Sequence, residues 1–377
     1  MKIVIIRTHG SVVDLNTYNS QDLGMAKAFI ATGNQCDIVY YGGNKKTHIQ
    51  KIEVTGGNIL IYWVRGISLA LNGIFFGLSK IIKEYDVIQV GDYDQLTSLW
   101  LIFFSRYRNK TVLYHGPYLC EYNKKYRMKC RVVDLFPFSQ KIKKEIPCFA
   151  KSKFAANFLL DRGFCNITTV GVGLDRDRFA NESYQDDVTK KIINFVSNTN
   201  AILYVGRIEK RRNTIFLIEL LEKVKAFYPE VKMVLIGDGD VDYKRKCALL
   251  AEKLGLTDNI CYIKKIEQSQ LRYIYEACSI FLLPTSYEIF GMVLMEAMHY
   301  GLPVITTYNG GSSTIIDSEC GIVCDLDINK WSIYISELLN DKEKCKYLGN
   351  NAKKVVEERC SWNKIVNKMM EQYPKVK

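Results

Sequence analysis

Short apolar runs of strand length alternate with stretches of helical period along most of the chain. KIVII at 2–6 leads into a helix predicted over roughly 19–32, which Gly33 ends, and then into the strand CDIVYY at 36–41. DVIQVG at 86–91, the helical stretch TSLWLIFFSRY, TVLYHG at 111–116, CFAKS, the helix FAANFLLDRG and ITTVGVG continue the series. This is the βαβα rhythm of a parallel sheet covered on both faces. The rhythm restarts with AILYVG at 201–206, a helix over roughly 213–227, VKMVLIG at 231–237 and a helix over roughly 241–254. NICYI at 259–263, SIFLLP at 279–284, PVITT at 303–307 and GIVC at 321–324 complete it. The stretch 181–200 between the two series is polar and has no sustained period. Two domains are therefore expected, 1–180 and 181–360, with a last helix, roughly 362–373, after a break at Cys360-Ser361.

One segment stands apart. Residues 59–82 are apolar and about long enough to span a bilayer, but Arg65, Asn72 and three glycines interrupt them. A charged residue within a span costs roughly 2.5–3.5 kcal/mol. The segment is predicted to be a buried helix of the first domain, with membrane-surface docking and true spanning as the alternatives. At the start of the chain, Lys2 is followed by only four apolar residues before Arg7, too few for a signal-peptide core.

Composition changes the picture at two points. The 377 residues include 12 cysteines, which would suit a disulfide scaffold, but there is no CxxC and several sit in apolar runs. They read as buried free thiols in a reducing compartment. The four histidines, His9, His48, His115 and His299, have no metal-ligand spacing. The net charge of +12 is unevenly placed. Residues 1–180 hold 25 Lys and Arg against 14 Asp and Glu, whereas residues 181–377 hold 27 against 26. Ten basic residues and two acids lie between Tyr122 and Lys153, interleaved with Tyr126, Phe136 and Phe138. Such a region suits anionic lipid headgroups or an acidic acceptor, a solvated face with no partner, or nucleic acid.

Several motifs are missing. Gly237-Asp238-Gly239 is followed by Asp242 where a dinucleotide fingerprint needs glycine, and GxxxxGK[ST], GxSxG and HExxH are absent. What the sequence offers instead is PTSYEIFGMVLMEAMHYGLPVITTYNGG, residues 284–311. SIFLLP delivers this segment from the carboxyl end of a strand, where open α/β sheets bind ligands. Gly291 lets backbone approach closely, and the amides of Gly291, Met292 and Val293, beside Phe290, would open a helix with its positive dipole end facing outward. That is a diphosphate site. Glu288 lies just before the helix, and Glu296 lies eight residues on, about 12 Å along the axis. Two carboxylates at that separation can hold the hydroxyls at both ends of a nucleotide-sugar. Arg207, Lys210, Arg211 and Arg212 follow the first strand of the same domain and can clamp phosphate oxygens. Taken singly, each acid could equally be an exposed helix start or a polar helix face.

These residues resemble family 4 glycosyltransferases, a retaining group with the GT-B fold. The likeness is carried by the E-x7-E element EIFGMVLME and the following AMHYGLPVITTYNGG, with YVGRIEKRRN, VLIGDGD, VGVGLD, AKSKFAANFLLDRG and YHGPY in order. It covers most of 86–373. It implies an α/β chain of two Rossmann-like, doubly wound parallel-sheet domains facing across a cleft, the C-terminal helix (361–377) crossing back to the acceptor-side first domain. By the same resemblance Glu288 contacts the transferred sugar, Glu296 the ribose, and Arg207 and Arg212 the leaving diphosphate. His115, at a strand end of the first domain, would face the sugar; a satisfied structural histidine is the other reading of it. Three positions depart from the family: Arg212 replaces its lysine, Asn213 its glycine, and its Gly-Gly pair before the first helix is replaced near Asn16-Thr17. Lys264-Lys265 stand where glycine is common, close to the expected base pocket.

The resemblance implies a retaining, metal-independent transfer from a nucleotide-sugar, with UDP favoured, to a glycan acceptor that is lipid-linked or part of a surface polysaccharide. It needs no cofactor, no metal and no nucleic acid. The expected location is cytoplasmic, peripheral on the inner face of the membrane, with 122–153 meeting an anionic surface. A nucleotide-sugar epimerase or phosphorylase, or a non-catalytic sugar- or anion-binding protein of the same fold, are the competing readings.

Overall fold

The computed structural model describes residues 1–15, 21–179 and 184–374. The family's Gly-Gly position near Asn16-Thr17 lies outside them. The chain divides into two compact units, Met1–Asp175 with Cys360–Lys377, and Arg176–Arg359.

The first unit is built on an eight-stranded sheet. Its strands are β1 (Lys2–Ile6), β2 (Gln35–Tyr41), β3 (His48–Val54), β4 (Gly57–Val64), β7 (Val87–Gly91), β8 (Thr111–His115), β9 (Cys148–Ala150) and β10 (Ile167–Thr169), and a separate hairpin pairs β5 (Gly66–Leu69) with β6 (Asn72–Phe75). The sheet order is β10-β9-β8-β7-β1-β2-β4-β3, parallel except where β3 runs against β4. The central strands β1, β7 and β8 are buried almost throughout, as continuous apolar runs between two helical layers must be. Chain order reverses between β1 and β7, so the switch point of this sheet lies there.

The apolar segment 59–82 is not a helix. It forms most of β4, the β5–β6 hairpin and a short helix, Leu78–Ile82. In β4 the residues Ile59, Ile61 and Trp63 are buried at a spacing of two, and β-branched and aromatic side chains favour that pleated surface. The glycines that interrupt a helical reading serve the hairpin: a β-carbon at Gly66 would lie 2.1 Å from the Ile74 carbonyl oxygen. The turn itself has positive φ at Ala70 (47°) and Leu71 (65°), and the Asn72 side chain closes it, Nδ2 donating to the carbonyls of Leu69 (3.0 Å) and Ala70 (3.2 Å). No helix among the described residues is long and apolar enough to cross a membrane.

The last helix, Trp362–Met370, belongs to the first unit. Trp362 lies against two glycines whose β-carbons would sit 2.5 Å (Gly24) and 2.3 Å (Gly173) from its ring atoms. Tyr373 follows, fully enclosed, donating to Gln89 Oε1 at 3.1 Å.

The second unit carries a six-stranded, wholly parallel sheet of β11 (Ala201–Val205), β12 (Lys232–Ile236), β13 (Ile260–Ile263), β14 (Ile280–Leu283), β15 (Val304–Thr306) and β16 (Ile322–Val323). The order is β13-β12-β11-β14-β15-β16, so its switch point lies between β11 and β14. The polar stretch before β11 forms a helix, Asp187–Val196, which buries only Thr189, Ile192 and Val196. Val188, Ile192, Ile193, Phe195 and Val196 recur there at helical spacing, so the stretch does carry a helical period, confined to ten residues.

The basic region 122–153 is not one surface. Lys129 pairs with the buried Asp94 at 2.5 Å, Lys143 is buried and donates to the Arg162 carbonyl at 3.0 Å, and Arg127 donates to the Cys120 carbonyl at 3.0 Å. Lys124, Lys125, Arg131, Lys141, Lys144 and Lys153 are exposed.

Candidate functional site

Two loops leave the carboxyl ends of β11 and β14 on either side of the switch point, where crevices form in sheets of this kind. They are stitched together by backbone and side chain. The Ser286 amide donates to the Arg211 carbonyl at 2.8 Å, and the Arg211 guanidinium donates to the Tyr287 carbonyl at 2.9 Å. Asn213 adopts the left-handed conformation (φ 54°, ψ 42°) that glycine takes most readily, and its side-chain amide donates to the Pro284 carbonyl at 2.7 Å and to Ser286 Oγ at 2.8 Å. Asparagine is among the few residues that visit this region readily, so the substitution keeps the turn and adds two hydrogen bonds.

This arrangement puts Arg212 and Glu288 in direct contact. They form a mostly buried ion pair, and Glu288 Oε1 also accepts from the Ile289 amide at 3.1 Å. Burial opposes the guanidinium's charge, but the Glu288 carboxylate more than offsets it, and the Arg212 pKa is raised. Arg207 is not part of this pair. It is largely exposed, with Nε 3.3 Å from Glu209, whose other oxygen holds Arg211 at 2.7 Å. Glu209 was not singled out in the sequence, where one acid beside four cations carries no distinct signal.

Gly291 (φ 84°) starts the helix Met292–His299 in a conformation that other L-residues adopt at a cost. The first-turn amides of Met292 and Val293 therefore open beside Glu288, with the buried Phe290 just before them. Gly310 and Gly311 hold this loop from the other side. A β-carbon at Gly310 would lie 2.1 Å from the Ile289 oxygen, and one at Gly311 would lie 1.6 Å from the Phe290 oxygen. Buried Asn309 shapes their turn by accepting from the amides of Gly311 (3.0 Å) and Ser312 (3.1 Å). An Asn before a Gly pair is a turn signal that could have marked it.

Glu296 lies in the same helix, wholly buried. Its Oε2 accepts from the Tyr275 hydroxyl at 3.1 Å, while Oε1 has no hydrogen-bond partner among the described residues. Burial raises its pKa to about 7, against the opposing effect of the Tyr275 hydrogen bond. Lys264 is exposed and lies 3.4 Å from Asp238, which Lys244 also pairs.

His115 ends β8 as the sequence suggests, but its ring is completely enclosed by its own unit. It stacks on Phe158 with centroids 4.8 Å apart, and Nδ1 accepts from the Tyr93 amide at 3.3 Å. Burial lowers its pKa to about 3, so the ring is neutral. Its Nε2 is buried with no hydrogen-bond partner among the described residues. The open space at the first unit's switch point is lined by other residues. A cavity of about 520 Å³ lies over the carboxyl ends of β1, β7 and β8, among Arg7, His9, Asp22, Asp92 and Lys151. Arg7 and Asp22 are 3.8 Å apart there, and Lys151 donates to Gln21 at 3.2 Å. These residues come from four separate stretches and share no motif.

Residues 185–355 match the model of the family described as glycosyl transferases group 1. The second unit is a group 1 glycosyl transferase domain. An uncharacterized glycosyltransferase of Methanocaldococcus jannaschii is 29% identical over 197 residues, 51% of this chain and 50% of that protein. The chain spans about half the length of the curated relatives it matches. Two solved structures match the group 1 domain and the first unit together. Sucrose-phosphate synthase from Thermosynechococcus elongatus aligns with a TM-score of 0.73 at 18% identity, covering 98% of each chain. Anabaena HepE in complex with UDP-glucose aligns at 0.69 and 16%, again over 98% of each. Two parallel-sheet units of this topology make up the GT-B fold.

Proposed function

We propose that this chain is a retaining glycosyltransferase that moves a sugar from a nucleotide-diphosphate-sugar to a glycan acceptor, lipid-linked or belonging to a cell-surface polysaccharide. The observation that carries the reading is the Arg212–Glu288 pair, held at the β11/β14 switch point beside the helix that Gly291 opens. Glu288 accepts hydrogen bonds from hydroxyls of the donor sugar. Arg212, freed in part from Glu288, and the exposed side chain of Arg207 take the diphosphate. The amides of Met292 and Val293, backed by the helix dipole, do the same.

As the glycosidic bond breaks, negative charge gathers on the β-phosphate. The Met292 and Val293 amides are fixed by the fold before the reaction, so they stabilise that charge without reorganising, and the two arginines add positive charge without a metal. The departing phosphate oxygen accepts the acceptor's proton on the same face, which retains the configuration and needs no covalent nucleophile. Glu296 takes the ribose: a ribose hydroxyl donating to Oε1 would satisfy that oxygen and favour the ionised carboxylate. A UDP-sugar is favoured, as in the HepE complex. The cavity of the first unit is the place for the acceptor, and Arg7 and Lys151 there suit an acceptor bearing negative charge.

The test is thermal stabilisation of the protein by UDP-, GDP- and ADP-sugars, followed by acceptor-dependent release of nucleotide. Binding to none of them overturns the reading. Nucleotide-sugar conversion without an acceptor would make the protein an epimerase instead.

A further inference from the structure

The helix Lys124–Asp134 carries apolar side chains on two sides. Tyr126, Cys130 and Val133, spaced by four and three, face the unit: Cys130 and Val133 are buried, and the Tyr126 ring lies 5.9 Å from Phe158. Met128, Val132 and Leu135, with the same spacing, face outward and are exposed to 69%, 55% and 82%. A helix on a globular surface needs only the first stripe. The second continues past the helix. Phe136 and Phe104 are exposed to 59% and 69% and are joined through Phe138, their ring centroids 6.0 and 6.2 Å from its own. Phe138 is itself anchored by stacking on Phe103 at 4.3 Å.

Charge identifies the occupant. Lys124, Lys125 and Arg131 lie on the outward side of the same helix and form no ion pair among the described residues. Arg106 and Arg108 follow Phe104, and Lys141 and Lys144 follow Phe138; all four are exposed. The nearby acids are few: Asp134 is paired with Arg162 at 2.9 Å and Glu145 with Lys141 at 4.0 Å. An apolar stripe rimmed by cations is the pattern of a helix lying in the interface of an anionic bilayer. A second copy of the chain, meeting this face across a two-fold axis, would set one cation-rimmed patch against another.

We propose that this face docks on an anionic lipid bilayer, with Met128, Val132, Leu135, Phe136 and Phe104 entering the boundary between headgroups and acyl chains. Lys124, Lys125 and Arg131 contact the headgroups. The surface lies wholly in the first unit, and docking does not depend on which sugar is transferred.

The test is sedimentation of the full chain with vesicles of phosphatidylcholine alone and of phosphatidylcholine mixed with phosphatidylglycerol. Binding is expected to the mixed vesicles and to fall as salt is raised. The triple variant Met128→Ser, Val132→Ser, Leu135→Ser should weaken it by about tenfold or more with a melting temperature little changed, because these side chains are largely exposed. Lys124→Glu with Lys125→Glu and Arg131→Glu should remove the salt-dependent part. Failure to bind mixed vesicles, or variants that bind as well as the parent chain, would overturn the proposal. So would a dimer in solution that the apolar triple variant dissociates. Nucleotide-sugar stabilisation measured on the same samples keeps the two readings apart, since either can fail while the other stands.

Discussion

The two sheets are wound alike, yet the loops at their switch points are made from different materials. In the second unit, backbone rests on backbone. β-carbons at Gly237, Gly239, Gly310 and Gly311 would lie 1.6 to 2.1 Å from the carbonyl oxygens of Gly206, Ile208, Ile289 and Phe290. In the first unit the glycine that ends β7 has ordinary room: a β-carbon at Gly91 would meet Thr8 Oγ1 at 3.6 Å. There the cavity is shaped by side chains, Arg7, Asp22, Asp92 and Lys151. Gly10, after β1, is the exception, with its β-carbon 2.4 Å from Ser68 Oγ and 2.9 Å from the Asn72 oxygen. Backbone contact thus sets the loops of the second unit, whereas side chains shape most of the opposite switch point.

Substitution by alanine is the sharpest way to break that contrast. Gly311→Ala should destabilise by more than about 4 kcal/mol or abolish folding of the second unit, because a methyl group cannot share space with the Phe290 carbonyl. Gly91→Ala should stay within about 1 kcal/mol. Thermal melts of both variants check this, and equal losses would erase the distinction.

The ion pair comes next. Glu288→Gln is expected to lower acceptor-dependent nucleotide release by about 10²–10³, with nucleotide binding largely kept, if Glu288 acts on the sugar. Lys151→Ala, in the other cavity, should instead raise the KM for an anionic acceptor and leave nucleotide-induced stabilisation unchanged. A reversed pattern would exchange the roles proposed for the two units.

The units also differ in their buried titratable groups. Burial raises Glu296 from its ordinary 4.5 to about 7, so its protonated form is the one the fold favours. That stability is fully present below about pH 4.5 and is lost as pH rises to 7, on the order of 3 kcal/mol. Burial lowers His115 from 6.5 to about 3, so its contribution is present above about pH 6.5 and is lost on acidification. Melting curves of Glu296→Gln should gain on the parent chain between about pH 5 and pH 8. Those of His115→Gln should gain on it as pH falls below about 6. Parallel curves in either case would show that the group is not held as described.

A smaller loss is expected at Asn213. Asn213→Ala should cost about 2–3 kcal/mol, through the left-handed backbone and two lost hydrogen bonds. Asn213→Gly should cost less, since only the hydrogen bonds go.

Much of the strand and helix order was legible in the sequence because buried parallel strands are uninterrupted apolar runs that glycines end. The segment 59–82 was misread because its period-two burial in β4 is masked by apolar residues on both faces, and its hairpin turn uses Ala70 and Leu71 rather than the usual Asn-Gly. The helix Asp187–Val196 was missed because its helical period runs for only ten residues inside a polar stretch. At the site, Glu288, Gly291, Gly310 and Gly311 could be found because they lie in one stretch of 24 residues. The embedding of His115 behind Phe158 and the lining of the first cavity could not, since neither leaves a local pattern.

By itself, then, the sequence determined two parallel α/β sheets and a glycine-opened helix start with its acids and cations, because period, glycine placement and spacing are local properties. Tertiary structure alone decided that Arg212 meets Glu288, that Lys129 and Lys143 are spent internally while Lys124, Lys125 and Arg131 remain outside, and that one helix shows two apolar faces. Each of those depends on which distant strand or helix lies alongside, and burial, unlike composition, is set only when the chain has packed.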